Sequence, residues 1–286
     1  MLKKLTLLIV FLLWTVVNGQ QFCQQRIHRI GAFNIQVFGQ TKMKNDLVVE
    51  SLLAILSRYS IVAIQEVRDS SDSAFQELVL RLRGKTNRNL NYVLSSRQGR
   101  TNSKEQIGII FDVDLFGIVG TWEYQDFEGT FERAPFAVLV QSIGDNIEPF
   151  IMMVHHASPD HVVVELEKLY EAVAEVEAVW NTRNTIIMGD MNADCGYLSM
   201  KKSKTVRLFN SHEWIVPIER NTDTTVAKKA CAYDRFFIRP ELARYIDGNS
   251  ISVFNFAKEY GFGIEFAKLI SDHYPIELNI SDQLCH

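Results

Sequence analysis

Proline is scarce, with 6 residues in 286, and no low-complexity tract or internal repeat interrupts the chain. Without a linker, the sequence predicts one continuous domain rather than a string of modules. Cysteine is rarer still. The four cysteines show no Cys-x-x-Cys or Cys/His spacing, which leaves a zinc site as an unsupported alternative. A basic surplus is also missing: Lys+Arg number 30 and Asp+Glu 34. Bulk charge therefore excludes simple electrostatic capture of a polyanion. A nucleic-acid substrate would need divalent cations and local Arg or Lys. Beyond the first residues there is no long apolar run, and Asp282-Gln283-Leu284-Cys285-His286 lacks the apolar tail of a lipid-anchor signal.

What is present begins with Lys3-Lys4, an apolar run from Leu5 to Val17, and then Asn18-Gly19-Gln20. This is the plan of a secretory signal peptide, residues 1–19, with cleavage near Gly19. The run is too short to span a bilayer as a helix, so a membrane anchor is the weaker alternative. The mature chain, residues 20–286, loses Lys3 and Lys4 and no acids, leaving 28 basic against 34 acidic residues. An exported, extracellular chain favours disulfides. Four cysteines allow three connectivities, and the expected pairs are Cys195–Cys231 and Cys23–Cys285.

Strand-like apolar runs occur at Arg29–Phe38, Ile61–Gln65, Tyr92–Leu94, Ile107–Phe111, Phe136–Val140, Phe150–Val154, Thr185–Met188, Arg235–Ile238 and Pro275–Ile280. Several are continuous in Val, Ile, Met or Phe, as strands buried on both faces require. Helical periodicity is clearest over His161–Asn181, where Val162, Leu166, Leu169, Val173, Val176 and Trp180 form one stripe. Glu165, Glu167, Lys168, Glu171, Glu175 and Glu177 fall on its other faces. Further helices are predicted over Asn45–Arg58, with Leu47, Leu52, Ile55 and Leu56 inward, and over Asp72–Leu82. The pattern predicts an α/β (α+β) fold in which mixed sheets are covered by helices.

Four segments carry chemistry: Gln65-Glu66-Val67-Arg68, His156-Ala157-Ser158-Pro159, Gly189-Asp190-Met191-Asn192-Ala193-Asp194 and Ser271-Asp272-His273-Tyr274-Pro275. Three of them sit at or just after apolar runs, where a strand delivers polar groups to one rim of a sheet. Phosphodiester hydrolysis needs an in-line water, stabilised phosphoryl charge and a proton for the leaving oxygen. Glu66 is a candidate ligand for a hard cation. Asp190 and Asn192, two apart on an extended segment, would project together. His156 and His273 are the candidate acid–base pair, each needing a carboxylate partner. His155 would face the opposite side of its strand. Asp272 would point away from His273 and is free to bind metal or water.

Together with Ala32-Phe33-Asn34-Ile35, Phe38-Gly39-Gln40-Thr41-Lys42-Met43, Asp69-Ser70 and Cys231-Ala232-Tyr233-Asp234-Arg235, these segments resemble the deoxyribonuclease I family from about Ile30 to Ile280. The resemblance implies a four-layer sandwich, two packed central mixed β-sheets flanked by helices. It implies endonucleolytic cleavage of double-stranded DNA to 5′-phosphorylated products by a monomer, with Mg2+ (or Mn2+) and Ca2+. By motif, Glu105 would orient His156 and Asp234 would orient His273. Asn34, Glu66, Asp190, Asn192 and Asp272 would bind the metals and the scissile phosphate, and Arg68 and Arg133 the DNA. Ser103 stands where the family usually has a Tyr beside the groove-entering Arg. Minor-groove reading senses width more than bases, so sequence preference should be weak. Asp223 and Thr225 match the family's second Ca2+ loop, with Ala227 and Lys229 in place of hydroxyl residues. The short loop Asp126–Phe131 lacks the family's small Cys pair. Phe136 replaces a small residue next to the surface that binds actin in some members, and no basic C-terminal tail is present.

Overall fold

A computed structural model describes residues 26–282. The expected leader (residues 1–19) and the Cys23–Cys285 pair lie outside the described residues. Among the described residues, eleven strands form two mixed sheets. The first contains β1 (Ile27–Phe38), β2 (Ile61–Val67), β3 (Leu90–Leu94), β4 (Gln106–Asp112), β10 (Ile246–Val253) and β11 (Ile276–Ser281), ordered β10-β11-β1-β2-β4-β3. The second contains β5 (Phe116–Glu123), β6 (Phe136–Ser142), β7 (Phe150–Val154), β8 (Thr185–Asp190) and β9 (Asp234–Ile238) in sequential order. Each sheet has a central parallel pair, β1 with β2 and β7 with β8, flanked by antiparallel neighbours.

The continuous apolar runs are explained by burial on both faces. Along β1 and β2, Ile30, Ala32, Ile61 and Ala63 enter the core between the sheets, while Phe33, Ile35, Val62 and Ile64 face the helices. In β7 and β8, Phe150, Met152, Val154, Ile186 and Met188 face the first sheet, and Ile151, Met153 and Ile187 face outward. Alternation of side chains along a strand assigns each residue type to its layer. Helices α1 (Asp46–Leu56), α2 (Ser73–Thr86) and α4 (Ile264–Ile270) cover the first sheet, and α3 (Val162–Trp180) covers the second. The layers are therefore helix, sheet, sheet, helix, as expected.

Several details depart from the sequence reading. Leu47 does not point inward; it is 70% exposed on the first turn of α1. Glu165 and Glu177 of α3 are buried rather than solvated. Phe136 lies in the core between the sheets, so it presents no surface to any partner. Helix α2 runs to Thr86, past the last buried residue Leu82, and stops at Asn87 in the left-handed conformation.

The entry to α2 is fixed by Asp69. Its carboxylate accepts the Ala74 N–H (2.8 Å) and the Ser71 N–H (3.3 Å), with Gln40 and Ser73 alongside. Burial works against this charge, but the bond from Ala74 and those from Ser71 and Gln40 hold the Asp69 carboxyl down at about 2 instead of 3.8. A depressed carboxylate stabilises the fold above its unfolded value and loses that contribution as pH falls through the folded one. The expected result is that Asp69→Ala costs ~1 kcal/mol at neutral pH, the scale of a lost helix cap. In urea denaturation of both proteins, the gap should close between pH 3.8 and about 2. A gap that persists at the acid end would show that the carboxylate charge is not its source.

Candidate active site

The chemistry-bearing residues meet at one end of the sandwich. Asn34 and Glu66 come from β1 and β2, His156 follows β7, and Asp190 closes β8; all four are at or near the C-terminal ends of parallel strands. Asp234 opens β9, Glu105 precedes β4, and Asp272 and His273 precede β11. Both sheets thus contribute to one rim, as the placement of the apolar runs suggested.

Two histidine–carboxylate pairs face each other across Asp190. His156 Nδ1 lies 2.6 Å from Glu105 Oε1, and His273 Nδ1 lies 2.8 Å from Asp234 Oδ2. With Nδ1 held, each Nε2 turns towards the same atom. Asp190 Oδ2 is 3.5 Å from His156 Nε2 and 3.4 Å from His273 Nε2. Asn34 Nδ2 donates to Asp190 Oδ2 and to Glu66 Oε1, both at 3.1 Å.

These charges shift one another. Burial opposes protonation of His156, but the Glu105 carboxylate outweighs it and the imidazole is raised above its ordinary value. For His273 burial is again overcome, by Asp234 and Asp190, and its proton affinity rises well above the ordinary imidazole range. Burial would raise Asp190, yet the two imidazolium groups hold it down. Asp272 goes the other way: burial pushes its carboxyl up, His273 opposes this, and the Glu66 and Asp190 charges add to it. Asp272 Oδ1 has no hydrogen-bond partner although it is shielded from solvent.

That orphaned oxygen, with the carboxylates of Glu66 and Asp190 and the amide of Asn34, makes an oxygen-rich corner whose charge Arg68 and the two imidazoles offset only in part. Such a donor set fits a hard divalent cation. A second grouping, Asp190, Asp234 and His273, has ligand atoms within 4.8 Å of one another. There Asp234 Oδ2 and His273 Nδ1 bind each other, while Asp234 Oδ1 is left without a hydrogen-bond partner.

The backbone at this rim is strained. Gln36, Val37, Glu66 and Asn192 all have positive φ, at 44°, 50°, 61° and 47°. Residues held this way cost about 1–3 kcal/mol each and persist where surrounding bonds fix them. Register breaks between Asn34 and Phe38 in β1 and between Ile64 and Val67 in β2 mark the same place. The Val37 N–H donates to Glu66 Oε2 at 2.9 Å, and Arg68 Nη2 holds the same oxygen at 2.9 Å. Asn192 is not on an extended segment with Asp190, as its spacing suggested. It turns, so that its N–H donates to Asp190 Oδ1 (3.0 Å) and its Nδ2 to the Ala157 carbonyl (2.9 Å). Asp272, too, lies off any strand, in the turn before β11.

The two arginines sit at the first pair. Arg68 Nη1 donates to Ser103 Oγ at 2.8 Å, and its Nη2 is 3.4 Å from Glu105 Oε2. Arg133 Nε is 3.1 Å from Glu105 Oε1 and donates to the His156 carbonyl at 3.0 Å. Its side chain is only 14% exposed, so holding the His156 pair occupies most of it. Asp223 Oδ1 accepts the Thr225 N–H and hydroxyl, both at 3.1 Å, and Thr225 bridges to His273. Cys195 and Cys231 are disulfide-bonded, tying the loop after β8 to the segment before β9.

Sequence reasoning passed over several supporting residues. Thr224 Oγ1 accepts the Asp234 and Tyr233 N–H groups. Ser271 Oγ donates to the Asn34 carbonyl and accepts the His273 N–H. Glu165 accepts from the Glu132 and Ser158 N–H groups and pairs with His155, which is fully buried on the face away from the site. None has a type or spacing that marks it, although Thr224 and Ser271 lie one residue from candidate site residues.

The comparisons agree with this geometry. Residues 31–273 match the Endonuclease/Exonuclease/phosphatase family. Deoxyribonuclease-1 of Sus scrofa is 35% identical over 260 residues, covering 88% of this chain and 91% of that protein. Deoxyribonuclease-1 of Homo sapiens is 35% identical over 258 residues, covering 87% and 91%. Among solved structures, an endonuclease/exonuclease/phosphatase family protein of Bacteroides thetaiotaomicron has the same fold, with a TM-score of 0.58, 13% identity and coverage of 91% and 100%. Two His–carboxylate pairs on the rim of a double-sheet sandwich and this identity over most of the chain lead to one conclusion: the chain belongs to the deoxyribonuclease I branch of the endonuclease/exonuclease/phosphatase family.

Proposed function

We propose that this protein is a secreted, divalent-cation-dependent endonuclease that hydrolyses double-stranded DNA to 5′-phosphorylated products with little sequence preference. The observation that carries the reading is the pair of imidazole Nε2 atoms aimed at one carboxylate oxygen of Asp190. One imidazole takes a proton from the attacking water, and the other returns a proton to the leaving 3′ oxygen. Glu105 and Asp234 hold the rings in the tautomer this requires and stabilise their cations. Asn34, Glu66, Asp190, Asn192 and Asp272 hold Mg2+ or Mn2+ and the scissile phosphate. The cation supplies neutralisation of the charge that develops on the phosphoryl oxygens.

Arg68 enters the minor groove, and Arg133, whose Nε is held by Glu105 and the His156 carbonyl, touches the DNA with the exposed part of its guanidinium. Ser103, hydrogen-bonded to Arg68, gives up the stacking a Tyr would offer there, which lowers DNA affinity. Asp223 and Thr225 would hold a second Ca2+ only against the Lys229 ammonium, and in the protein itself Asp223 braces the turn next to Thr224, which holds Asp234. Export accords with the disulfide, and no helix among the described residues is long and apolar enough to cross a membrane.

The test is nicking of supercoiled plasmid by the mature protein with Mg2+ plus Ca2+, with Mn2+, and with EDTA. Nicking only with metal, leaving ends that accept labelled phosphate only after phosphatase treatment, is expected. A folded, disulfide-bonded protein that leaves the plasmid intact in every metal would sink the reading.

A further inference from the structure

The ammonium of Lys42 donates to three backbone carbonyls, Ile35 (2.6 Å), Gln36 (2.6 Å) and Ile270 (2.8 Å). Its bonded partners are carbonyls and not carboxylates. Burial disfavours this charge, and the Asp272 and Glu66 carboxylates, close by but not hydrogen-bonded to it, oppose that cost. Two of the carbonyls belong to the left-handed bulge of β1, where Gln36 and the β-branched Val37 have φ of 44° and 50°. A β-branched residue at positive φ is a strong outlier that something must hold. The third carbonyl ends α4, immediately before Ser271, Asp272 and His273. The negative end of a helix favours a cation there.

The consequence is mechanical. The bulge presents the Val37 N–H to Glu66 Oε2, and the segment after α4 carries Asp272. Lys42 ties the two together from the side of the bulge, and Ser271, whose Oγ joins the Asn34 carbonyl to the His273 N–H, does so from the other.

We propose that Lys42 is a positioning residue for the divalent-cation corner: its ammonium pins the strained β1 bulge to the end of α4 and so fixes the separation of Glu66 and Asp272. This rests on the proposed metal role of those two carboxylates. Lys42 acts through the backbone carbonyls it binds and is not one of the proposed metal ligands. It also lines a cavity of about 500 Å3 with Gln36, Val37, Thr41 and Lys268, through which a small amine can reach the three carbonyls.

The experiment compares the parent protein with Lys42→Met and Lys42→Ala. Mg2+ alone is titrated calorimetrically, and deuterium uptake is followed in metal-free protein. In K42M, uptake should rise across residues 34–40 and 270–275. Half-saturation by Mg2+ should move up by roughly 10–100-fold, the usual effect of removing a group that orients metal ligands. Ethylammonium should restore Mg2+ binding to K42A, where space is left for it, and not to K42M. If K42M does not fold, Lys42→Arg carries the same comparison, since a planar guanidinium cannot replace a compact ammonium among three converging carbonyls. K42M with parental uptake and parental Mg2+ binding would overturn the role of Lys42 alone. A parent that takes up no Mg2+ would overturn the metal corner itself, and the inference with it.

Discussion

Replacing His156 or His273 by alanine should lower plasmid nicking by roughly 10²–10⁴-fold while the protein stays folded, the range that general acid–base groups contribute. The two effects should not multiply. Both Nε2 atoms converge on Asp190 Oδ2, which places the two rings on either side of one phosphoryl transfer, where they work as a unit. When parts of a unit fail singly, the unit has already failed. The double variant should therefore be little slower than the worse single one. Single-turnover rates of the three proteins, with thermal melts to show that each is folded, make the comparison. A His156→Ala protein that keeps the parental rate would remove that ring from the reaction. Glu105→Gln is the companion variant. It keeps the side chain's shape beside His156 Nδ1 but withdraws the charge that raises the ring's proton affinity. Its loss should be smaller than that of His156→Ala and should fall on the alkaline side where His156 works as the protonated acid, or on neither side where it works as the base, so the pH profile also assigns the ring's role.

Gly189→Ala is expected to have the largest effect on stability. Gly189 has φ +131°, in a region that L side chains rarely adopt. A Cβ there would lie 2.0 Å from Gln65 Nε2 and 2.3 Å from the His155 carbonyl oxygen. Neither neighbour can yield easily. Gln65 is fully buried on β2 and donates to that same carbonyl, which belongs to the backbone just after β7. Overpacking of about 1–3 kcal/mol and backbone strain of about 1–3 kcal/mol together give a loss of about 2–6 kcal/mol. Because Asp190 is the next residue, activity should fall in whatever fraction still folds. Chemical denaturation of parent and variant measures the first effect. A variant within a fraction of a kcal/mol of the parent would mean that the two strands separate more easily than their packing implies.

How much of this was legible in the sequence follows from how each residue is held. Strands buried on both faces announce themselves as unbroken apolar runs, and β2, β4, β7 and β8 were read correctly for that reason. β5 and β10 escaped notice. Both are edge strands, paired on one side only and half exposed; two glycines and a Thr break the apolar residues of β5, and Asp, Gly, Asn and Ser those of β10. Edge strands need no continuous apolar pattern. The site residues were visible because they sit at strand ends in short, distinctive strings. Their pairing across the chain was not readable from spacing, since Glu105 and His156 lie 51 residues apart. It came from the family resemblance. Helical periodicity misled at Glu165 because a stripe separates apolar from polar residues. It cannot tell a solvated acid from one that bonds backbone N–H groups behind a site. The turn at Asn192 and the bulge at Val37 were hidden because strain is a property of the surrounding structure.

The position of β11 has a consequence for biosynthesis. It pairs with both β10 and β1, so this late segment of the chain occupies an interior place in the first sheet. Asp272 and His273 immediately precede it, 238 and 239 residues after Asn34 in the numbering of the chain. A nascent chain can form the second sheet, the Cys195–Cys231 bridge and the His156–Glu105 pair before β11 has been made. It cannot assemble both halves of the acid–base machinery. The second histidine–carboxylate pair therefore closes only after residues 272–281 have been made.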